Sequence, residues 1–412
     1  MKPFLQLRTT EEAYACIDTF TAVGTETIDP RSAAGRVLAA DVRAACDVPH
    51  FERSNMDGYA VVAADTFGAC ERRSVALRLA GQVAAGEEAV QRLEPGSAIG
   101  VSTGAMLPPG ADAVVMVEYT DSGDDGTVSV RQAAAAGQHV VRIGEDMATG
   151  DLVLEAGRRL RGPDIGALTG TGTETIEVFK LPRVAVMGTG DEIVDPGEDP
   201  GPGRVRNINQ YVLKSVAADC GAEVLDLGVI ADDPDALASA LRKAVAEADG
   251  VIIAGGSSMG RHDLTAAAVG SLDASELLFH GLAIAPGRPT LLARAAKVAV
   301  MGLPGNPAAA AVVLSLFASV LIRVLGGEKL RRILIARPTV RATLAAPVPS
   351  TEGREEYIRV RLADGGAGCL RASPILGRSM AISTMAGADG MLRIPASSEG
   401  IDGGTQVEVM LF

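Results

Sequence analysis

At 412 residues, with 47% apolar and 22% charged side chains, the chain exceeds what one hydrophobic core serves and is too apolar for disorder, so two to four domains are expected. A net charge of −13, 3% aromatic residues and no Trp argue against a base-stacking nucleic-acid surface. The five cysteines lack CxxC or Cys/His spacing, which argues against zinc, iron–sulfur clusters and a disulfide framework.

The N-terminus, MKPFLQLRTTEEA, lacks the basic-then-apolar pattern of a signal peptide. The longest apolar run, AAAAVVLSLFASVLIRVL, is broken by serines and carries Arg323, so a cytoplasmic protein without a membrane span is expected. The first ~45 residues read as helical: TTEEAYACIDTF opens with a Thr cap and first-turn acids, and PRSAAGRVLAADV follows a proline start. YAVVAA, VALRLAGQV, AIGVSTG, ADAVVMVEY and TVSVRQ are then short strands between Gly, Pro and Asp clusters. This β-rich module, 45–140, reads as an insertion into a helical N-terminal domain made of 1–44 and 141–180.

From residue 181 to 329 strands and helices alternate: RVAVMGTGDEIV, NINQYVLKSVAADCG, AEVLDLGVI, DPDALASALRKAVAEA, DGVIIAGG and KVAVMGLPGNP, then a long helix closed by Gly326-Gly327. Strands apolar throughout predict a mostly parallel sheet between two helical layers, a three-layer α/β domain with its function at the carboxyl ends of the strands. Residues 330–412 alternate in period two (EEYIRVRL, MLRIPA, TQVEVMLF) and predict a small β domain.

Three loops fall at predicted strand ends of the α/β unit. MGTGDEI supplies Gly188 and Gly190; AGGSSMGRHD supplies Gly255, Gly256, Ser257, Ser258, Arg261 and Asp263; GLPGNP supplies Pro304, Gly305, Asn306 and Pro307. The glycines let backbone approach a ligand or turn with φ > 0. Asn306 is a natural N-cap and Pro307 a natural first helical residue, which would turn free amides towards the cleft. Asp191, Glu192 and Asp263 can pair with Asp232 or Asp233 of ADDPD to hold Mg²⁺ with ligand oxygens, although ADDPD also suits a helix N-cap. No loop matches a Walker A sequence, and GTGDEI lacks the third glycine of a dinucleotide fingerprint. The four histidines show no ligand spacing.

SNMDGYAV, TGAMLPPGADAVV, GEDM, GTGDEIV, GGSSMGRHD, GLPGNP and GREEYIRV, taken together, resemble the MoeA/gephyrin E-domain family, the molybdopterin molybdenumtransferases. The resemblance covers essentially the whole chain. It implies a homodimer of four-region chains whose C-terminal domain is a β-barrel, acting on adenylylated molybdopterin and molybdate with Mg²⁺ and releasing AMP. Contacts with a molybdopterin adenylyltransferase and molybdoenzyme maturation factors are further implied partners; nucleic acid and membrane are not.

Carried over by motif, Asp57 and Thr103 would reach the active site from the partner chain's inserted region, with Asp146 beside them. Glu192, Asp232 or Asp233, and Asp263 would line the pterin and metal side, while Pro304 and Pro307 frame the loop under the pterin. The stretch FHGLAIAPGRP departs from the lysine-rich family pattern: Gly281 and Ala285 stand there, and Arg288 alone is basic. Arg261 or Arg288 would compensate; the alternatives are another oxyanion such as tungstate, or a non-catalytic cofactor-binding scaffold.

Overall fold

The computed structural model describes residues 7–255, 264–366 and 368–412. Its first helix, α1 (Thr10–Ile17), is held by a reciprocal cap: Glu12 N–H donates to Thr9 Oγ1 at 3.2 Å, and Thr9 N–H to Glu12 Oε2 at 2.9 Å. The second predicted helix, over PRSAAGRVLAADV, does not form. Pro30–Ser32 makes one 3₁₀ turn, Gly35 turns at φ 79°, and Leu38 N–H donates to Arg158 O at 3.0 Å. Pairing with distant chain outweighs local helix propensity here. The N-terminal region is thus less helical than expected and is closed by two-stranded ladders. Thr25–Ile28 pairs with Ile176–Phe179, Val42–Arg43 with Leu152–Leu154, and Arg53–Ser54 with Val140–Val141.

Between these ladders lies a six-stranded sheet: β1 (Gly58–Val61), β2 (Val75–Val83), β3 (Ser97–Val101), β4 (Ala113–Met116), β5 (Thr120–Ser122) and β6 (Thr127–Val130), in the order β4-β1-β3-β2-β6-β5. Both faces carry cores, one around Ala60, Ile99 and Val114, the other around Val61, Ala98 and Val115. The period-two side-chain alternation of the strands divides neighbouring residues between the two. Helix α2 (Gly162–Gly170) follows the chain's return.

The α/β region comprises β7 (Arg183–Thr189), α3 (Asn209–Asp219), β8 (Glu223–Ile230), α4 (Pro234–Glu247), β9 (Gly250–Ala254), α5 (Leu264–Gly270), β10 (Ser275–His280), β11 (Leu291–Ala295), β12 (Val298–Leu303) and α6 (Pro307–Leu325). The strand order is β8-β7-β9-β12-β11-β10; the first four strands are parallel and the last two pairings are antiparallel, so β11 alone runs against the rest. Val184 and Val186 enter one core, with Leu213 of α3; Ala185 and Met187 enter the other, with Leu237 and Leu241 of α4. That split is why the strands are apolar at every position. The chain leaves β7 outward to β8 and returns across it to β9, so the crevice beyond β7 and β9 is the topological switch point where such sheets bind ligands.

Helix α6, the one described helix apolar and long enough to span a membrane, has 83% of that window buried and is a core helix. Its middle turn, Leu314–Ala318, is a π turn. Leu316 O accepts there from the Tyr14 hydroxyl at 3.0 Å and Arg337 Nη2 at 2.7 Å, so the widened turn leaves this acceptor satisfied. The C-terminal strands β13 (Thr339–Leu344), β14 (Glu355–Asp364), β15 (Leu370–Pro374), β16 (Gly390–Ile394) and β17 (Gln406–Leu411) form a closed ring, β14-β15-β13-β17-β16-β14. Closure removes the free edges a small sheet would otherwise expose.

Candidate functional site

The strand-end loops meet through their glycines. Gly255 has φ 104°, and a Cβ there would stand 2.6 Å from Thr189 O, so only glycine lets the β9 loop lie against the end of β7. A Cβ on Gly305 would in turn meet Gly255 Cα at 3.6 Å, and Asn209 Nδ2 donates to Gly305 O at 2.8 Å. Gly188 is buried within β7, and Gly190 turns the chain at φ 145° towards Asp191 and Glu192. The candidates Gly256, Ser257, Ser258, Arg261 and Asp263 lie outside the described residues.

Acids gather beside this junction. Asp191 Oδ1 accepts the Asp232 N–H at 3.0 Å. Burial, with the negative charges of Asp191 and Glu192 adding to it, pushes the Asp232 carboxyl above its ordinary value. Asp233 instead caps α4, its Oδ1 accepting the Ala236 N–H at 2.8 Å. Among the described residues no three His, Cys, Asp or Glu side chains are grouped to hold a metal. Asp191, Glu192 and Asp232 still form a negative neighbourhood that a cation would relieve, and Mg²⁺ commonly takes only one or two protein carboxylates.

Asn306 does not cap α6 with its side chain. Its Nδ2 donates to Ser379 Oγ at 2.9 Å, while Ser379 O accepts from Ala308 N–H at 2.9 Å and Ala309 N–H at 3.3 Å. The expectation of free helix amides facing the cleft is corrected to that extent: a carbonyl of the C-terminal region takes two of them, which relieves part of the unpaired helix end. Pro304 is buried before the turn and Pro307 opens the helix.

That contact borders a cavity of about 220 Å³ lined by Ala285, Pro286, Glu356, Tyr357, Arg359 and Ser379, among others. Arg359 is 5% exposed; its Nη2 donates to Gly377 O at 3.1 Å, and its Nε is buried without a partner. Burial works against its charge and lowers its pKa. The sequence reading missed Arg359 and Ser379. A signal existed for the first: Glu355, Tyr357 and Arg359 share one face of β14 and all are buried, so a charge recurs on a buried period-two position.

Arg288 is exposed and does not line this cavity. Gly281 has φ 117°, its carbonyl accepts the Arg8 N–H at 3.0 Å, and a Cβ would come within 2.8 Å of Leu7 Cδ2. Glycine at that place is therefore tied to docking of the N-terminal segment.

In the inserted region Asp57 and Thr103 form a pair. Asp57 Oδ1 accepts Thr103 N–H at 2.6 Å and Thr103 Oγ1 at 3.0 Å, and these bonds hold the exposed Asp57 carboxyl below its ordinary value. Asp146 is exposed, its backbone N–H bonded to Val48 O at 3.0 Å.

Residues 8–172 match the model of the MoeA N-terminal region (domains I and II), 185–323 that of a probable molybdopterin binding domain, and 341–412 that of the MoeA C-terminal region (domain IV). The molybdopterin molybdenumtransferase 2 of Mycobacterium tuberculosis is 34% identical over 387 residues, covering 93% of this chain and 94% of that protein. The molybdopterin molybdenumtransferase of Bacillus subtilis is 32% identical over 382 residues, covering 92% of this chain and 87% of that protein. The solved molybdopterin biosynthesis MoeA protein of Pyrococcus horikoshii superposes with a TM-score of 0.84 at 31% identity, over 99% of this chain and 100% of the other.

Proposed function

The chain belongs to the MoeA family of molybdopterin molybdenumtransferases, and from that premise we propose that it transfers molybdenum from molybdate to adenylylated molybdopterin and releases AMP. The observation that carries the oxyanion half of this reading is Arg359. A buried guanidinium with an unpaired Nε, facing a small cavity, suits a tetrahedral oxyanion, which supplies the missing charge and acceptors together. Ser379, between that cavity and the start of α6, joins the oxyanion place to the pterin loops.

The pterin and phosphates belong over the meeting point of Gly190, Gly255 and Gly305, where backbone can approach them closely. Asp191, Glu192 and Asp232 would hold Mg²⁺, with Asp263 beside them by motif. When bound, the ion polarises the phosphoanhydride and lowers the barrier to AMP departure. Asp232, raised by burial and by its acidic neighbours, loses its proton more readily as positive charge arrives. Asp57, held ionised by Thr103, faces the site from a second copy of the chain in a homodimer, with Asp146 at its border.

The test is AMP release by the purified protein given adenylylated molybdopterin, Mg²⁺ and molybdate, repeated with tungstate. AMP release with molybdate is expected. Release only with tungstate would reassign the oxyanion. Tight pterin binding without AMP release would support a cofactor-binding scaffold, the reading favoured by Gly281 and Ala285 where lysines are usual.

A further inference from the structure

A cleft of about 680 Å³ opens on one face of the inserted sheet, next to the Asp57–Thr103 pair; its lining includes Asp57, Tyr59, Leu79, Gln82, Gly100 and Val117. Gly100 of β3 is in register with Tyr59 of β1 on one side and Gln82 of β2 on the other. Residues in register share a face, so Tyr59 and Gln82 flank the glycine at two strand spacings, about 9.5 Å apart. Further along the same face a core of Val61, Leu77, Ala98 and Val115 covers the sheet; the cleft begins where that cover ends.

Neither backbone nor packing demands this glycine. Its φ lies outside the left-handed region, and a Cβ would meet only Gln82 Cγ at 3.5 Å, Gln82 Cβ at 3.8 Å and Gly81 O at 3.8 Å, which is ordinary contact. What the missing side chain leaves is a flat floor. The Tyr59 hydroxyl lies 2.6 Å from Ser122 Oγ, which fixes the ring at one flank. Leu79 and Val117, 40% and 49% exposed, give the cleft an apolar wall, and a register shift between Leu79 and Gly81 bulges β2 beside it.

We propose that this cleft seats a planar nitrogen heterocycle laid on the Gly100 backbone. The Tyr59 ring and the two aliphatic side chains contact its faces and rim, and the Gln82 amide, with both donor and acceptor, reads its edge. The inference rests on the function proposed above, whose substrate carries two such ring systems, a pterin and an adenine. It places one of them on the inserted region, within reach of Asp57, while the phosphates remain at the α/β loops.

The experiment is titration calorimetry of the full chain with AMP, and separately with 6-hydroxymethylpterin, comparing wild type with Gly100→Val and Gln82→Leu. Filling the floor is expected to weaken one of the two probes by about tenfold, the scale of a lost ring contact, with an unchanged thermal midpoint. Loss of AMP alone assigns the cleft to adenine, consistent with the pterin over the α/β loops; loss of the pterin alone assigns it to the pterin and moves that ring off those loops. Equal affinities in wild type and both variants, or no binding of either probe by wild type, overturn the proposal. Failure of the wild type to release AMP would remove the transferase reading, while a variant-dependent binding loss would still stand.

Discussion

Glu355 and Arg359 stand on the same buried face of β14, 6% and 5% exposed, yet their surroundings differ. Glu355 is saturated: Thr10 Oγ1 and the Tyr357 hydroxyl each donate to its Oε2 at 2.7 Å, and Arg393 closes on Oε1. Although burial works against its charge, Arg393, Tyr357 and Thr10 together hold its pKa below the ordinary value. Arg359, in contrast, has a single carbonyl for Nη2 and nothing for Nε. A buried charge whose bonds are all made fastens the N-terminal helix to the C-terminal ring. A buried charge left partly unmet is a place for a ligand. The two differ in partners, since their burial is the same.

The largest effect expected from this contrast belongs to Glu355→Ala, which strands Thr10, Tyr357 and Arg393 and should lower unfolding free energy by about 3 kcal/mol. Denaturant titration measures it, and a loss below about 0.5 kcal/mol would break the contrast from the Glu355 side. Next comes pH, through a second saturated carboxylate. Asp164 is 4% exposed; burial would raise its pKa, but Arg158, at 2.7 Å, and Arg161 hold it down to about 2. A depressed folded pKa contributes stability fully above the unfolded value near 4. That contribution, about 2 kcal/mol, is lost as pH falls towards 2. Asp164→Asn should flatten the acid limb of a stability–pH curve between those values, and an unchanged limb would assign the loss elsewhere. The smallest change in stability is expected for Arg359→Met, within about 1 kcal/mol and of either sign, because an apolar isostere removes an uncompensated charge. The same variant should weaken molybdate binding by about thirtyfold, roughly the loss of a charged hydrogen-bonded partner. If it destabilises the protein as much as Glu355→Ala does, Arg359 is structural.

The α/β region was legible because its signals are local: apolar runs, caps and glycine-bearing strand ends fall within a few residues of each other. The meeting of Gly255 with Thr189 and of Gly305 with Gly255 follows from that pattern at the switch point. PRSAAGRVLAADV was misread because its partners, Arg158 and Glu177, lie more than a hundred residues on, and propensity carries no trace of them. Asn306 looked like a cap in isolation, and only the fold brings the Ser379 carbonyl to that helix end. Arg359 was readable in principle from its place two residues beyond Tyr357 on one strand face. Its missing partner was not, since absence of a neighbour is a property of three dimensions.

The π turn at Leu314–Ala318 also bears on which sequence changes the chain tolerates. An i→i+5 turn holds one residue more than an α turn, so deleting one residue there would restore a regular helix. Everything from that point to Leu325 would then keep close to its present face, because the turn that closes with the extra residue becomes an ordinary α turn. The Leu316 carbonyl would withdraw into the helix, leaving the Tyr14 hydroxyl and Arg337 without their common acceptor. The harm of a one-residue deletion here should therefore be local, the loss of that shared acceptor, with the packed face of the helix kept.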